Sequence, residues 1–443
     1  MNKKNQIVSI TKILIISSIA KILSLVSKII MTRELGLYSM SIFSLTNPLL
    51  LLLLTLSSLS LQNSISAIIA KDYSSRKKVL FNALKLTLAL STILMFVLLL
   101  SGEFISYRLI KNPLTLKSIY ACLLVIPLTS ISSIIKGYFL GIGEIKLITF
   151  SQIFEESGRF LLIAVVIFFL PTLNDQDRAS LAVYSLAIGE LFQIFYMVFY
   201  YKNYSLKKLK EFIFSFKQDK HNYKDILNIS LPMTCSRLVG SLTYFIEPIL
   251  FTSILLNQLK IEEITISYGL LTQYALPILL MPSFISVTIS NLIISNLGKL
   301  IGNNKFLEAR KYIRFILLLS FIIGLIISIF FTLFSNQITS LIYNNTYGSE
   351  IIKKYSILFS LFYIESPLIT CLSILNLSKK ALISTVISSI IRILLILLLV
   401  KFYQIDGLCL AIIISFYFNV IINLFFLMKF FISKNKRSII HHQ

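Results

Sequence analysis

The sequence SSIIKGYFLGIGEIKLITFSQIFEESGRFLLIAVV at 132–166 returns as SPLITCLSILNLSKKALISTVISSIIRILLILLLV at 366–400. To within one residue, aligning the two copies pairs Arg159 with Arg392. Each copy contains an apolar stretch, a short basic turn and a second apolar stretch that one arginine interrupts. This pattern predicts a pair of apolar helices that occurs once in each half of the chain.

The rest of the chain supports the same internal repeat. Aligning 43–91 with 268–320 places Pro48 over Pro277, and each copy again has an early proline, a basic loop and a second apolar helix. Internal repeats of this size in transporters place the substrate site between the halves, near the middle of the bilayer. The repeat therefore predicts a two-lobed membrane carrier, with chance similarity among Leu-, Ile- and Ser-rich helices as the alternative.

Composition indicates the class of protein. Hydrophobic residues make up 56% of the chain, charged residues make up 14%, and the mean hydropathy is +0.85. Such values are typical of an integral membrane protein. We expect an all-α polytopic membrane protein with about twelve transmembrane helices, arranged as two pseudo-symmetric six-helix bundles around a central cavity. The apolar windows that predict these helices lie at 7–31, 40–62, 80–101, 118–142, 145–170, 179–201, 226–254, 265–297, 313–335, 353–377, 381–400 and 405–428.

Polar segments divide the chain into lobes. The first lobe spans 1–203, the second spans 225–432, and 433–443 forms a basic tail. Between the lobes, 204–224 carries hydrophobic residues at near-helical spacing beside lysines. This spacing predicts an amphipathic linker along the cytoplasmic interface, and a plain flexible linker is the alternative. Most of the 42 Lys and Arg then fall on the side of both termini, which the positive-inside rule assigns to the cytoplasm.

Several classes of function are excluded by composition and motifs. The net charge of +23 is explained by topology and anionic lipid, so no nucleic-acid partner is expected. The three histidines lie in the linker and tail, and the four cysteines are widely separated, so we expect no metal site and no cofactor. No phosphate-binding P-loop motif occurs, which argues against direct use of ATP. We therefore expect a transporter and not an enzyme.

Cations within the apolar windows are candidate substrate ligands, because an ionisable group in a span needs water, a partner or a ligand. Lys21 and Lys28 lie two turns apart on one face of the first helix, and Arg237 lies in the first helix of the second lobe. If these three converge on a central cavity, they would bind an anionic substrate; pairing with a carboxylate such as Glu247 is the alternative. The full set of candidate substrate-binding residues is Lys21, Lys28, Lys136, Arg237 and Arg392.

Carboxylates within the windows form a second group of candidates. Glu155 and Arg159 are spaced so that they can form an ion pair along their own helix. The other acids have no such partner nearby in the sequence, and any of them could bind a proton or a sodium ion. The candidates for ion coupling or structural pairing are Glu155, Glu156, Arg159, Glu190, Glu247 and Glu365.

Six stretches, taken in order, resemble a known family. They are SIAKIL at 18–23, RELGLY at 33–38, ISSIIKGYFLG at 131–141, SQIFEESGR at 151–159, LPMTCSRLVGS at 231–241 and YGLLTQYALP at 268–277. Their order and spacing resemble the stage V sporulation protein B group of polysaccharide flippases, within the multidrug/oligosaccharidyl-lipid/polysaccharide exporter superfamily. The resemblance extends along nearly the whole chain.

This resemblance implies a fold and a function. The fold would be two bundles of six helices around a central cavity, with Lys21, Lys28 and Arg237 as cavity cations. The function would be alternating access that moves a polyprenyl-diphosphate-linked sugar from the cytoplasmic to the outer leaflet of a bacterial cell membrane, for cell-wall, capsule or spore-wall assembly. The chain departs from the family pattern, because about twelve spans are expected here whereas many relatives have fourteen. A smaller substrate therefore remains an alternative.

Two rival functions remain open at this point. One is a multidrug antiporter of the MATE type, which about twelve spans favour and the cations Lys21, Lys28 and Arg237 disfavour. The other is a membrane-embedded glycosyltransferase or polymerase acting on the same lipid-linked sugars. Such an enzyme would need catalytic groups in a large external loop, whereas the predicted external loops are short. For the flippase we expect a monomer with both termini in the cytoplasm, and envelope glycosyltransferases or a polymerase as further partners.

Overall fold

The computed structural model describes residues 3–71, 76–169, 173–204, 223–303 and 305–440, and over these ranges the chain is helical without β-strands. The first helices are α1 (Lys3–Leu35), α2 (Leu37–Ser58), α3 (Leu61–Lys71), α4 (Arg76–Glu103), α5 (Leu116–Gly141), α6 (Ile145–Phe169), α7 (Asp175–Tyr204) and α8 (Tyr223–Leu255). The others are α9 (Ile261–Gly269), α10 (Leu276–Leu280), α11 (Ser283–Gly302), α12 (Phe306–Leu333), α13 (Ser335–Tyr343), α14 (Ser349–Tyr355), α15 (Phe362–Ile374) and α16 (Ser378–Ile440).

Internal contacts divide the chain into two compact units, Met1–Ile249 and Leu250–Gln443. The division falls within α8. The all-helical, two-lobed membrane architecture expected from the sequence is confirmed. The predicted linker at 204–224 lies almost wholly outside the described residues, and the predicted lobe boundaries stay predictions.

Eight helical stretches of the described chain are long and apolar enough to cross a membrane. They are Leu37–Lys71, Val79–Leu109, Pro113–Gly141, Asp175–Tyr200, Met233–Leu255, Phe306–Leu333, Ser349–Ile374 and Ser378–Ile432. α6 is not among them, because Glu155, Glu156 and Arg159 lie close together in its middle. The predicted number of about twelve spans therefore stays a prediction.

In the first unit, α5 is the helix around which the others pack. It contacts α3, α4 and α7, and α6 contacts α1 and α7. Two glycines one turn apart bring α5 close to α3. A Cβ on Gly137 would lie 2.9 Å from the Gln62 carbonyl oxygen, and one on Gly141 would lie 2.8 Å from the Ile69 Cβ. Small residues at this spacing let helices in a membrane approach closely.

In the second unit, α15 packs against α11, α12 and α16. Leu368, Cys371 and Leu372 of α15 are fully buried in the core of this unit. α16 bends sharply at Gln404, where φ is 49° and ψ is −123°, and this residue separates the helix into two arms. The arms contact one another, since Ser384 on the first arm donates a hydrogen bond to Asn423 on the second.

Between α9 and α10 the chain forms a π-helical turn at Leu270–Ala275. Pro277 has no backbone N–H, so it cannot donate to the carbonyl of Gln273 one turn earlier. The Tyr343 hydroxyl donates to that carbonyl instead, over 3.2 Å. A phenol at the end of α13 therefore satisfies the backbone group that the proline leaves free.

Candidate functional site

Three charged residues of α6 lie on one face of the helix and contact each other. Arg159 Nη1 donates to Glu156 Oε1 over 3.0 Å, and Arg159 Nη2 donates to Glu155. The acids precede the arginine by three and four residues, which is the spacing of neighbours on a helix surface. The structure thus places one guanidinium between two carboxylates.

α1 supplies the next contacts of this cluster. Ser24 and Ser27 of α1 lie beside Glu156, which is buried. Lys28 lies one turn beyond Ser24 on the same helix and is half-buried. The face of α1 that carries Lys28 therefore includes residues that contact α6.

A second ion pair joins α5 to α7. Lys136 Nζ lies 3.6 Å from Glu190 Oε2, and both side chains are largely buried. Ser132, one turn before Lys136 on α5, lies beside Glu190. Lys136 is a candidate substrate-binding cation and Glu190 a candidate ion-coupling acid, and the structure pairs these two residues with each other.

Neutral polar residues connect these helices further. Gln193 of α7 donates through Nε2 to Ser151 of α6 over 3.1 Å. Its Oε1 accepts a hydrogen bond of 3.2 Å from Ser132 of α5. One fully buried amide thus hydrogen-bonds to two neighbouring helices at once.

Glycine makes this close packing feasible. A Cβ on Gly189 of α7 would lie 2.8 Å from Arg159 Cγ and 2.9 Å from the carbonyl oxygen of Glu155. The backbone of α7 therefore lies directly against the α6 ion pairs, and no larger residue fits there without displacing them.

We call Lys136, Glu155, Glu156, Arg159 and Glu190 the α6 ionic cluster. It holds three carboxylates and two cations, which leaves one carboxylate in excess when all are ionised. Three of its atoms are buried without a hydrogen-bond partner, namely Glu156 Oε2, Arg159 Nε and Glu190 Oε2. Two of these three atoms are carboxylate oxygens, which are acceptors, and uptake of a proton by the cluster stays a prediction.

The second unit holds a related network with fewer charges. Asn419 donates to Glu365 Oε1 over 3.3 Å, and Asn423 donates to Asn419 over 3.0 Å. Asn423 in turn accepts a hydrogen bond of 2.7 Å from Ser384. We call Glu365, Ser384, Asn419 and Asn423 the α16 amide network. Its single acid, Glu365, is held by an amide.

Arg392 lies on the first arm of α16, the helix that the internal repeat aligns with α6. It is half-buried and has interaction partners. The two positions that correspond to Glu155 and Glu156 hold Ser388 and Ser389. The acids on the neighbouring turn of α6 therefore have no counterpart beside Arg392.

The remaining predicted residues lie apart from these networks. Lys21 is exposed on α1, and Arg237 is exposed on α8. Glu247 is fully buried on α8 and has an interaction partner. The convergence of Lys21, Lys28 and Arg237 on one cavity stays a prediction, as do the roles assigned to the acids.

Sequence reasoning missed the neutral members of both networks. A search for ionisable residues in apolar windows does not find the uncharged amides of Gln193, Asn419 and Asn423. A signal was present, since Asn419 and Asn423 are spaced by one helical turn within a strongly apolar stretch. Amides at that spacing inside a membrane helix indicate an interhelical hydrogen-bond network.

Comparison with known proteins gives two family matches. The family described as polysaccharide biosynthesis protein matches residues 8–294, and the family described as MatE matches residues 271–403. The first match includes the entire α6 ionic cluster. The second includes Glu365 and Ser384 but ends before Asn419 and Asn423.

Among individual proteins, the chain is similar to stage V sporulation protein B of Bacillus subtilis (strain 168). The two are 28% identical over 383 residues, which cover 84% of this chain and 74% of the relative.

Two solved structures share the fold. An inward-facing multidrug resistance MATE family transporter of the MOP superfamily matches with a TM-score of 0.72 and 16% identity, covering 96% of this chain and 99% of the other. The lipid II flippase MurJ, in an inward closed conformation, matches with a TM-score of 0.66 and 15% identity, covering 97% of this chain and 91% of the other.

Proposed function

Since the chain belongs to the polysaccharide biosynthesis protein family, we propose that it is a flippase for a polyprenyl-diphosphate-linked oligosaccharide or a similar cell-envelope precursor. It carries the sugar head group from the cytoplasmic to the outer leaflet by alternating access. It is a multi-pass protein of the bacterial cell membrane with both termini in the cytoplasm, and it acts as a monomer alongside envelope glycosyltransferases or a polymerase.

The observation that carries this proposal is the family match over residues 8–294, which covers the first unit from residue 8 onward. The similarity to stage V sporulation protein B over most of both chains supports it independently. The fold shared with the lipid II flippase MurJ is compatible with a lipid-linked cargo. Together these similarities favour a sugar-bearing lipid over other cargoes of a two-lobed carrier.

The negative charge of this cargo is a physical reason for cations within the membrane-spanning part of the chain. A diphosphate head group cannot enter hydrocarbon without losing its hydration, which is costly for a charged group. Lys21, Lys28 and Arg237 would offset that cost if they line a hydrated path. With the cell interior negative, the potential contributes about 2.3 kcal/mol per charge per 100 mV toward outward movement of an anionic head group.

In this proposal the α6 ionic cluster has a separate role from the substrate cations. Lys136 already has Glu190 as a partner, and Arg159 already has Glu155 and Glu156. Cations that are paired in this way have less to offer a diphosphate than Lys21 or Arg237, which are exposed. The excess carboxylate of the cluster would instead take up a proton during the transport cycle.

The test is transport by purified protein in proteoliposomes, following a fluorescent undecaprenyl-diphosphate oligosaccharide between leaflets with and without an imposed potential. Arg237→Gln should reduce the flipping rate about ten-fold or more, because one charge-assisted contact is lost. Arg310→Gln, at an exposed arginine near the start of α12, is the matched control and should flip at the wild-type rate. Wild-type flipping by Arg237→Gln would remove this residue from the substrate path, and no flipping by the wild type would overturn the proposal.

A multidrug antiporter of the MATE type is the second candidate. The MatE family match at 271–403 and the TM-score of 0.72 to a multidrug transporter favour it, and Glu365 supplies a carboxylate in that region. A fluorescent cationic dye in the same proteoliposomes discriminates the two. Proton-driven dye movement that Glu365→Gln abolishes, together with a static lipid-linked sugar, would establish the antiporter in place of the flippase.

A further inference from the structure

A cavity of about 580 Å³ lies in the first unit, where the first turns of α2 and α7 meet the turn that precedes α5. Its volume is within the range of roughly 300–1,000 Å³ that is typical of small-molecule sites. The residues that line it include Tyr38, Leu114, Asn174, Asp175, Gln176 and Arg178. One aromatic ring, one carboxylate, two amides and one guanidinium therefore surround a space that can hold a sugar residue.

Two polar contacts tie the walls of this cavity together, and a third lies within the turn that precedes α5. Ser39 of α2 donates to Asp175 Oδ1 of α7 over 2.7 Å. Lys117 of α5 forms an ion pair of 2.6 Å with Asp177 of α7. Before α5, the Asn112 side chain accepts a hydrogen bond of 3.0 Å from the backbone of Leu114. These contacts hold three separate chain segments in place, so the cavity is formed before any ligand binds.

The lining has the chemistry that sugars require. A pyranose has an apolar C–H face, which packs on an aromatic ring such as Tyr38. It also has a rim of hydroxyl groups. A carboxylate such as Asp175 can accept hydrogen bonds from these hydroxyls, and an amide such as Gln176 can both donate to them and accept from them. Arg178 adds a planar donor for an acidic substituent of the sugar.

The position of the cavity relates it to transport. By the predicted topology, α1 begins in the cytoplasm, so α2, α5 and α7 begin on the external side of the membrane. The lining residues are at these helix starts, whereas Lys136, Glu155 and Glu190 lie well inside α5, α6 and α7. The cavity is therefore separate from the α6 ionic cluster and opens on the side where the carried sugar arrives.

We propose that this cavity, formed by the starts of α2 and α7 and by the turn that precedes α5, is a carbohydrate-binding site that receives the sugar head group on the external side. The proposal rests on the proposed flippase function and deepens it, since it assigns residues that hold the product before release. The ligand is a hexose or N-acetylhexosamine unit at the exposed end of the lipid-linked sugar.

The chain contains no tryptophan, which makes a direct binding test feasible. Tyr38→Trp places the only indole in the cavity and keeps an aromatic ring there. Purified full-length protein is titrated with free N-acetylglucosamine disaccharide, free maltose and free glucuronic acid, with glycerol as the control polyol. We expect a saturable change in indole emission with at least one sugar and none with glycerol. No saturable change with any sugar would overturn the proposal.

Two variants in the Tyr38→Trp background connect the signal to the cavity. Asp175→Asn keeps an oxygen that can accept from Ser39 but removes the charge, and it should weaken sugar binding about ten-fold. Glu103→Gln removes an exposed carboxylate near the end of α4, outside the cavity, and should bind as tightly as the parent. Equal binding by both variants would also overturn the proposal. If Tyr38→Trp does not yield folded protein, Leu114→Trp places the indole on another wall.

The same preparation distinguishes this proposal from the flippase proposal. Flipping of lipid-linked sugar without any response to free sugars would overturn the carbohydrate site and leave the flippase. A saturable sugar response that Asp175→Asn weakens, without flipping, would leave the site and overturn the flippase.

Discussion

The two units contain similar hydrogen-bonded frameworks but very different charges. In the first unit a hydroxyl of α6, Ser151, meets an amide of α7, Gln193. In the second unit Ser384 on the first arm of α16 meets Asn423 on the second arm. Ser151 and Ser384 correspond in the internal repeat. A serine–amide contact therefore joins α6 to α7 in the first unit and the two arms of α16 in the second.

The charges differ around this common contact. The first unit places the α6 ionic cluster around it, whereas the α16 amide network of the second unit includes one acid, Glu365, held by Asn419. An ionised residue at the centre of a membrane helix costs roughly 2.5–3.5 kcal/mol on insertion scales. The second unit shows that neutral groups suffice to join these helices. Joining these helices thus does not require the additional ions of the first unit, and a role of those ions in transport stays a prediction.

The largest effect should come from breaking an ion pair of the first unit. Lys136→Met leaves Glu190 buried without its cation and should lower the free energy of unfolding by about 3–5 kcal/mol. Adding Glu190→Gln removes the unpaired charge and should recover most of that loss. Reversible unfolding of purified protein in mixed detergent micelles measures both.

An exposed pair provides the control for this experiment. Lys305 and Glu308 lie 3.0 Å apart at the start of α12, and more than half of each side chain is exposed. Lys305→Met should change the free energy of unfolding by less than about 1 kcal/mol. A double variant of Lys136 and Glu190 as unstable as Lys136→Met would mean that the lysine has a role in packing and not in neutralising Glu190.

A smaller effect is expected where α7 meets the cluster. Gly189→Ala introduces a Cβ 2.8 Å from Arg159 Cγ and should destabilise the protein by about 1–3 kcal/mol through overpacking. Gly298→Ala on α11 of the second unit meets no atom within 4 Å, so it should be neutral or stabilising, because alanine favours a helix over glycine. Thermal scans followed by size-exclusion chromatography compare the two. Similar melting temperatures for both variants would show that α6 and α7 can move apart enough to accommodate the added methyl group.

Much of the fold was predictable from the sequence, because the length of each apolar segment and the internal repeat can both be read directly from the order of residues. The Glu155–Arg159 spacing likewise indicated a contact, since neighbours on one helix are fixed by its geometry. The Lys136–Glu190 pair was not predictable in the same way. These residues lie on different helices, and only the packing of α5 against α7 brings them together.

The neutral partners were missed for a different physical reason. An amide in an apolar helix carries no charge, so it is less costly there and less conspicuous than an acid. Gln193 is nevertheless fully buried and contacts two other helices. The cavity lined by Tyr38 and Asp175 was also missed, because its residues are far apart in the sequence and individually ordinary at helix ends.

The smallest effect should come from the acid of the second unit. Glu365→Gln keeps an oxygen that accepts from Asn419, so the α16 amide network stays intact and the free energy of unfolding should change by less than about 1 kcal/mol. In the first unit, Glu190→Gln leaves Lys136 without a carboxylate and should cost clearly more. The same unfolding assay compares the two variants side by side. Equal losses would mean that Glu365 also neutralises a cation, and the contrast between an ionic first unit and a neutral second unit would then no longer hold.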